Sequence, residues 1–116
     1  MLSKRRMVRL TVVLTASPPR ATRLVEALRS LMVGTRIEPG CLNCSTWLEP
    51  DASVHYFEEW ATEPDLKRRV RSDRFTSLLA VMEAAEEPPQ VTVDFLTSTR
   101  GLDYIAEVRS AKERPA

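Results

Sequence analysis

Between Cys41 and Ala61 the chain alternates its side chains with a period of two, turns at Pro50-Asp51, and alternates again. Two strands joined by so short a connection lie antiparallel, and this hairpin restricts everything that flanks it. On its second strand Val54, Tyr56, Glu58 and Trp60 share one face, while His55, Phe57 and Glu59 share the other. Glu38-Pro39-Gly40 supplies turn chemistry on the way in. Thr62-Glu63-Pro64-Asp65 supplies a helix entry on the way out: a capping hydroxyl, a proline in the first turn and an acid three residues beyond Thr62.

The segments on either side complete a pattern. Met7 to Ala16 sets Val8, Leu10, Val12 and Leu14 on one face and predicts a first strand. Ser17-Pro18-Pro19 then opens a helix, with Ser17 as its cap. Its apolar positions Leu24, Leu28, Leu31 and Met32 recur at helical spacing, and it is expected to end near Gly34. After the Thr62 entry a short helix runs through Arg71, its Lys67-Arg68-Arg69 run reading as a solvated basic face. Ser72 begins another helical segment striped by Phe75, Leu78, Leu79 and Met82, and Glu86-Glu87-Pro88-Pro89 stops it. Gln90 to Ser98 is a fourth strand, with Val91, Val93, Phe95 and Thr97 on one face.

The order β-α-β-β-α-β is that of a ferredoxin-like α+β unit, an antiparallel sheet with helices on one face. Residues 1–6 read as a basic leader, 7–98 as the domain, and 99–116 as a C-terminal extension. Leu102, Tyr104, Ile105 and Val108 make that extension too apolar for a free tail, so it is expected to dock on the domain or on a partner subunit. Two helices cover only one side of the sheet, and apolar residues such as Val13 and Leu96 oppose the main stripes of their strands. A second copy packed face to face would bury them, so a homodimer is expected.

Length and charge exclude several classes. A chain of 116 residues fits one domain. Its 17 basic and 16 acidic residues leave a formal charge of +1, which gives no reason to expect nucleic acid as a partner. No apolar stretch approaches the roughly 18 residues that span a bilayer, and a cytoplasmic location is expected. Cys41 and Cys44 have the Cys-x-x-Cys spacing of redox pairs and metal sites. On a regular strand, however, residues three apart face opposite ways, so the thiols are expected to diverge and to hold no metal.

Three local patterns carry a resemblance: Glu38-Pro39-Gly40-Cys41, Glu58-x-Trp60 with Leu66 six residues on, and Ser72-x-x-Phe75. Together, across roughly residues 7 to 98, they resemble the antibiotic-biosynthesis monooxygenase family, whose members form dimeric α+β barrels. The resemblance implies a cofactor-independent monooxygenase acting on a small aromatic compound, a quinol or polyketide-like molecule, with neither metal nor flavin. It implies that Trp60 and Phe75 shape a substrate cavity between sheet and helices. Arg74 and His55 are the candidates for handling charge in catalysis, and Glu58, Tyr56 and Asn43 are further candidates for binding substrate.

This chain also departs from the family. Many relatives read Ser-Pro-His-Phe where this sequence has Ser72-Asp73-Arg74-Phe75, so a permanent cation replaces a titratable base. Heme degradation, known among relatives, is disfavoured: Leu79 stands near the place of the axial histidine, and the first strand lacks their asparagine. The alternative function is a non-catalytic dimeric protein of the same fold that binds a small molecule or serves as an accessory.

Overall fold

The computed structural model describes residues 7–96 and 102–112, with side chains as far as 110. Strand β1 (Met7–Leu14) is followed by helix α1 (Pro18–Thr35), the hairpin β2 (Cys41–Leu48) and β3 (Val54–Trp60), helices α2 (Glu63–Arg71) and α3 (Asp73–Glu83), strand β4 (Gln90–Leu96) and helix α4 (Leu102–Lys112). The four strands form one antiparallel sheet in the order β2-β3-β1-β4. This is the expected ferredoxin-like α+β arrangement. The leader, Thr97 and Ser98 lie outside the described residues.

Alternation builds the core. Val8, Leu10, Val12 and Leu14 of β1 lie on the same side as Val54, Tyr56, Glu58 and Trp60 of β3, and all eight are buried. α1 lies across β2 and β3 and closes this side with Ala21, Leu24, Val25, Leu28 and Met32. α3 packs on α1 and α2 and adds Phe75, Leu78 and Met82. β4 is treated differently. Its register sets Val91, Val93 and Phe95 opposite Val12, Leu10 and Val8, on the core side. Yet all three are about half exposed, because the helices of this chain lie over the other strands.

The reverse side of the sheet carries a compact aromatic group. Trp47 stacks on His55 with ring centroids 5.3 Å apart and meets Phe57 edge-on at 6.0 Å. Arg9 lies over Phe57 and donates through Nε to Glu59 at 2.8 Å. α4 is helical, and Leu102, Tyr104, Ile105 and Val108 are exposed on it.

Local chemistry explains the helix boundaries, with one correction. Ser17 does not cap α1 through its hydroxyl; its backbone N–H is held instead by the Glu86 carboxylate at 3.0 Å. α1 ends at Thr35, next to Gly34 as expected, and Gly34 has a packing role as well. The entry to α2 forms as expected: Thr62 Oγ1 accepts the Asp65 N–H at 3.3 Å and donates to Asp65 Oδ2 at 2.8 Å. Gly40 adopts a φ of 88°, and a Cβ there would stand 2.3 Å from the Asp65 Cγ, so the turn before β2 is moulded to the start of α2.

The Thr62 hydroxyl, with Arg68 assisting, holds the Asp65 carboxyl below its ordinary value of 3.8. A lowered folded-state pKa adds stability above the unfolded value, and that contribution is lost as pH falls through the folded value. Thr62→Ala is therefore expected to lower stability by about 1 kcal/mol at neutral pH. The gap in urea midpoint between wild type and variant is expected to narrow below about pH 4. An unchanged gap from pH 7 to pH 3 would refute the assignment.

A final correction concerns β2. Cys41 pairs with Trp60, whereas Asn43 pairs with Glu59 and Cys44 with Glu58, so Leu42 is an extra residue in a β-bulge. The bulge resets the alternation. Cys41 and Cys44 therefore share a face, contrary to the divergence expected of a regular strand.

Candidate functional site

Glu58 has no exposed surface, in a layer made mostly of apolar side chains. Burying a carboxylate among hydrocarbon is costly unless donors surround it. Here four donor atoms from three residues do so. Arg69 reaches it through Nη2 at 2.8 Å and through Nε at 3.2 Å, the Trp60 indole N–H donates at 3.0 Å, and the Tyr56 hydroxyl donates to Oε2. Phe75 roofs the group, with the Arg69 guanidinium 5.3 Å from its ring centroid. The Cys44 thiol continues the chain of contacts to the Tyr56 oxygen at 3.4 Å.

Each position has a local origin. Tyr56, Glu58 and Trp60 are alternate residues of β3, so one strand face delivers all three. Arg69 stands three residues beyond Leu66 on α2, on the helix side turned to the sheet. It is 2% exposed, so the basic run is not uniformly solvated as the sequence suggested. Arg69 is the central residue that sequence reasoning missed. Its helical spacing from Leu66, and the presence of Glu58 on the Trp60 face, were the available signals.

The electrostatics follow the burial. Burial acts to lower the Arg69 pKa, but its bonds to Glu58 outweigh this and leave it above the ordinary value. Burial, reinforced by the Glu58 charge, raises the Tyr56 phenol far above its ordinary value of 10.0, so it stays protonated. Burial pushes the Cys44 thiol up to about 11 and raises Cys41 as well, so both remain thiols at neutral pH.

A cavity of about 120 Å³ opens from this centre between α1 and α3, lined by Ser30, Leu31, Thr35, Arg69, Arg74 and Ser77. Arg74 reaches it by lying against α1 at Gly34. A Cβ on Gly34 would stand 1.3 Å from Arg74 Nη2 and 2.4 Å from its Cζ. That is the packing role of this glycine: it makes room for a guanidinium from another helix.

The candidate residues thus fall into two groups. Glu58, Tyr56, Trp60 and Phe75 converge with Arg69, and Arg74 lies at the neighbouring cavity. His55 and Asn43 lie on the opposite side of the sheet. There His55 stacks on Trp47 and meets Ser53 Oγ at 3.1 Å, and Asn43 Oδ1 accepts the Cys44 N–H at 2.9 Å. A second cavity, of about 220 Å³, lies at the bulge beside Arg36, Cys41 and Cys44. Among the described residues no group of three or more His, Cys, Asp or Glu side chains is placed to hold a metal.

With that geometry in view, the family model for antibiotic biosynthesis monooxygenases matches residues 7–80. The chain belongs to this family. The match spans β1 through most of α3 and takes in Glu58, Trp60, Arg69 and Arg74. None of the curated proteins matches it in sequence.

Solved structures agree on the fold. A protein of Mycobacterium tuberculosis is 21% identical, with a TM-score of 0.71, over 82% of this chain and 99% of its own. A conserved protein of Methanosarcina mazei Go1 is 20% identical, with a TM-score of 0.70, over 80% of this chain and 95% of its own. A Caulobacter crescentus CB15 protein, described as a candidate antibiotic biosynthesis monooxygenase, is 20% identical, with a TM-score of 0.67, over 84% and 93%. These structures are covered almost end to end, while roughly a fifth of this chain lies outside each match. No described helix is long and apolar enough to cross a membrane.

Proposed function

We propose that this antibiotic-biosynthesis-monooxygenase family member is a homodimeric oxygenase that oxidises a small hydroxyaromatic compound without metal or flavin. The observation that carries the reading is the buried Glu58 centre. An ion pair inside a hydrophobic layer is no more stabilising than well-packed apolar residues of the same volume, so fold stability alone is a poor reason for it. Family enzymes place their substrates in the layer between sheet and helices, where this centre lies.

In this reading the substrate's ionisable oxygen approaches from the cavity beside Arg69 and Arg74. A nearby guanidinium favours the anion of a phenol or anthrone, the form that passes an electron to dioxygen. Oxidation of a ring CH₂ to a carbonyl then places one oxygen atom on carbon and releases the other as water. Trp60 and Phe75 back the Arg69 guanidinium from the core side rather than lining that cavity, and Tyr56, held protonated, is a proton donor. His55 and Asn43 serve the dimer, in which the Trp47–His55–Phe57 faces of two sheets pack together. Two free thiols, Cys41 and Cys44, suit a reducing cytoplasm.

A second reading, a dimeric binding or accessory protein without turnover, is favoured by one observation. Tyr56 and Trp60 already donate their polar hydrogens to Glu58, so the centre is satisfied without a ligand.

Oxygen consumption by the purified protein decides between the two. Hydroxyaromatics, hydroquinones and anthrones would be tested against their spontaneous autoxidation. The oxygenase reading expects protein-dependent uptake that falls about tenfold or more in Tyr56→Phe, as loss of a positioned proton donor should cause. No uptake across the panel by an intact dimer would overturn it in favour of the second reading.

A further inference from the structure

The cavity between α1 and α3 has features that a neutral hydroxyaromatic does not require. Its volume of about 120 Å³ is well below the roughly 300–1,000 Å³ of sites that enclose drug-sized ligands. It holds a head group and leaves the rest of a ligand at the mouth. Its polar lining is Ser30, Thr35, Ser77 and two guanidiniums, with no carboxylate among the lining residues. The Thr35 hydroxyl proton is already given to the Leu31 carbonyl at 3.1 Å, so the remaining donors are the two serines and the arginines.

The two cations are not equivalent. Arg69 is matched by Glu58 at 2.8 Å and approached by Glu38 at 3.5 Å. Arg74 has no carboxylate within ion-pair distance among the described residues. Its residue is exposed, and its guanidinium lies against α1 in the gap left by Gly34. One unmatched cation, held in place beside two hydroxyls, selects a single negative charge. A dianion would gain nothing further from Arg69 and would meet repulsion from Glu58 and Glu38. The planar guanidinium fork pairs with two oxygens in one plane.

We infer that this cavity binds the carboxylate group of a small organic acid, through Arg74 seated over Gly34, with the body of the acid lying at the mouth between α1 and α3. This deepens the oxygenase reading by naming an acidic group on its substrate. The two are separable, because binding is measured without turnover.

The test is calorimetric titration of the 116-residue chain with benzoate and, separately, with inorganic phosphate. It uses wild type, Arg74→Met and Gly34→Ala, each checked for fold by circular dichroism and melting. Arg74 is exposed, so its replacement leaves the core intact, and alanine favours the α1 helix over glycine. Wild type is expected to bind benzoate saturably and more tightly than phosphate. Both variants are expected to weaken benzoate binding about tenfold or more, the loss due when one charged hydrogen-bonding partner goes. No saturable benzoate binding in wild type, tighter binding of phosphate, or unchanged benzoate binding in Arg74→Met would each overturn the inference. Benzoate binding without oxygen uptake would sink the oxygenase reading alone; uptake without benzoate binding would sink this one alone.

Discussion

Glu58→Ala is expected to lose about 3–5 kcal/mol of folding stability, the usual consequence of removing one partner of a buried ion pair. The cause is what it leaves behind. Arg69, 2% exposed, would keep only Glu38, at 3.5 Å, as a counter-charge. Tyr56 and Trp60, both fully inside, would be left with polar hydrogens facing hydrocarbon. Against a total of about 5–15 kcal/mol for a typical domain, that loss brings the chain close to unfolding.

Urea denaturation of a short series locates the effect. Glu58→Gln keeps an acceptor but removes the charge, and should fall between wild type and alanine. Glu58→Leu combined with Arg69→Met removes both charges and should recover much of the loss. An alanine variant within about 1 kcal/mol of wild type would mean that the centre is solvated or rearranged, and the site as described would be wrong.

Trp60→Ala is the second large effect, about 3–5 kcal/mol, from a cavity left by the largest fully buried side chain. It also strips a donor from Glu58. Trp60→Phe separates these causes: it keeps most of the ring and removes the N–H that donates to Glu58 at 3.0 Å. Its loss should be nearer 1.5–3 kcal/mol, the range for a hydrogen bond to a charged group. Thermal unfolding of both variants checks the order. Equal losses would show that the indole N–H carries the whole effect and the ring almost none. Any study of activity should therefore use the phenylalanine, since an inactive alanine variant would report only lost fold.

Much of the architecture was legible because it rests on local rules. β1 and β3 alternate strictly, so their inward residues could be named, Glu58 among them. The Thr62–Asp65 cap was readable because its partners are three residues apart. What escaped were contacts that join distant segments. Arg69 stood inside a run of basic residues, and its spacing of three from Leu66 was the one local mark that set it apart from Lys67 and Arg68. Gly34 stands near the helix end, as its type suggested, but its contact with Arg74, forty positions later in the sequence, left no local trace. The bulge at Leu42 left no mark, because inserting one apolar residue into an already mixed strand does not visibly break its pattern. Of the candidates named from the sequence, Tyr56, Glu58, Trp60 and Phe75 lie together on the core side; the arginine that joins them was not named.

That bulge also makes the two borders of the sheet unequal. β2 forms one border, and an extra residue near its start bends it away from the straight geometry that an incoming strand needs. β4 forms the other, paired without interruption from Gln90 to Leu96, rich in β-branched and aromatic residues, with Asp94 its only charge. Growth of the sheet by strand addition, whether in an ordered assembly or in aggregates formed under mild denaturation, is thus polarised toward β4. A lysine at Thr92 would guard that border, on the sheet face opposite Glu58 and Trp60.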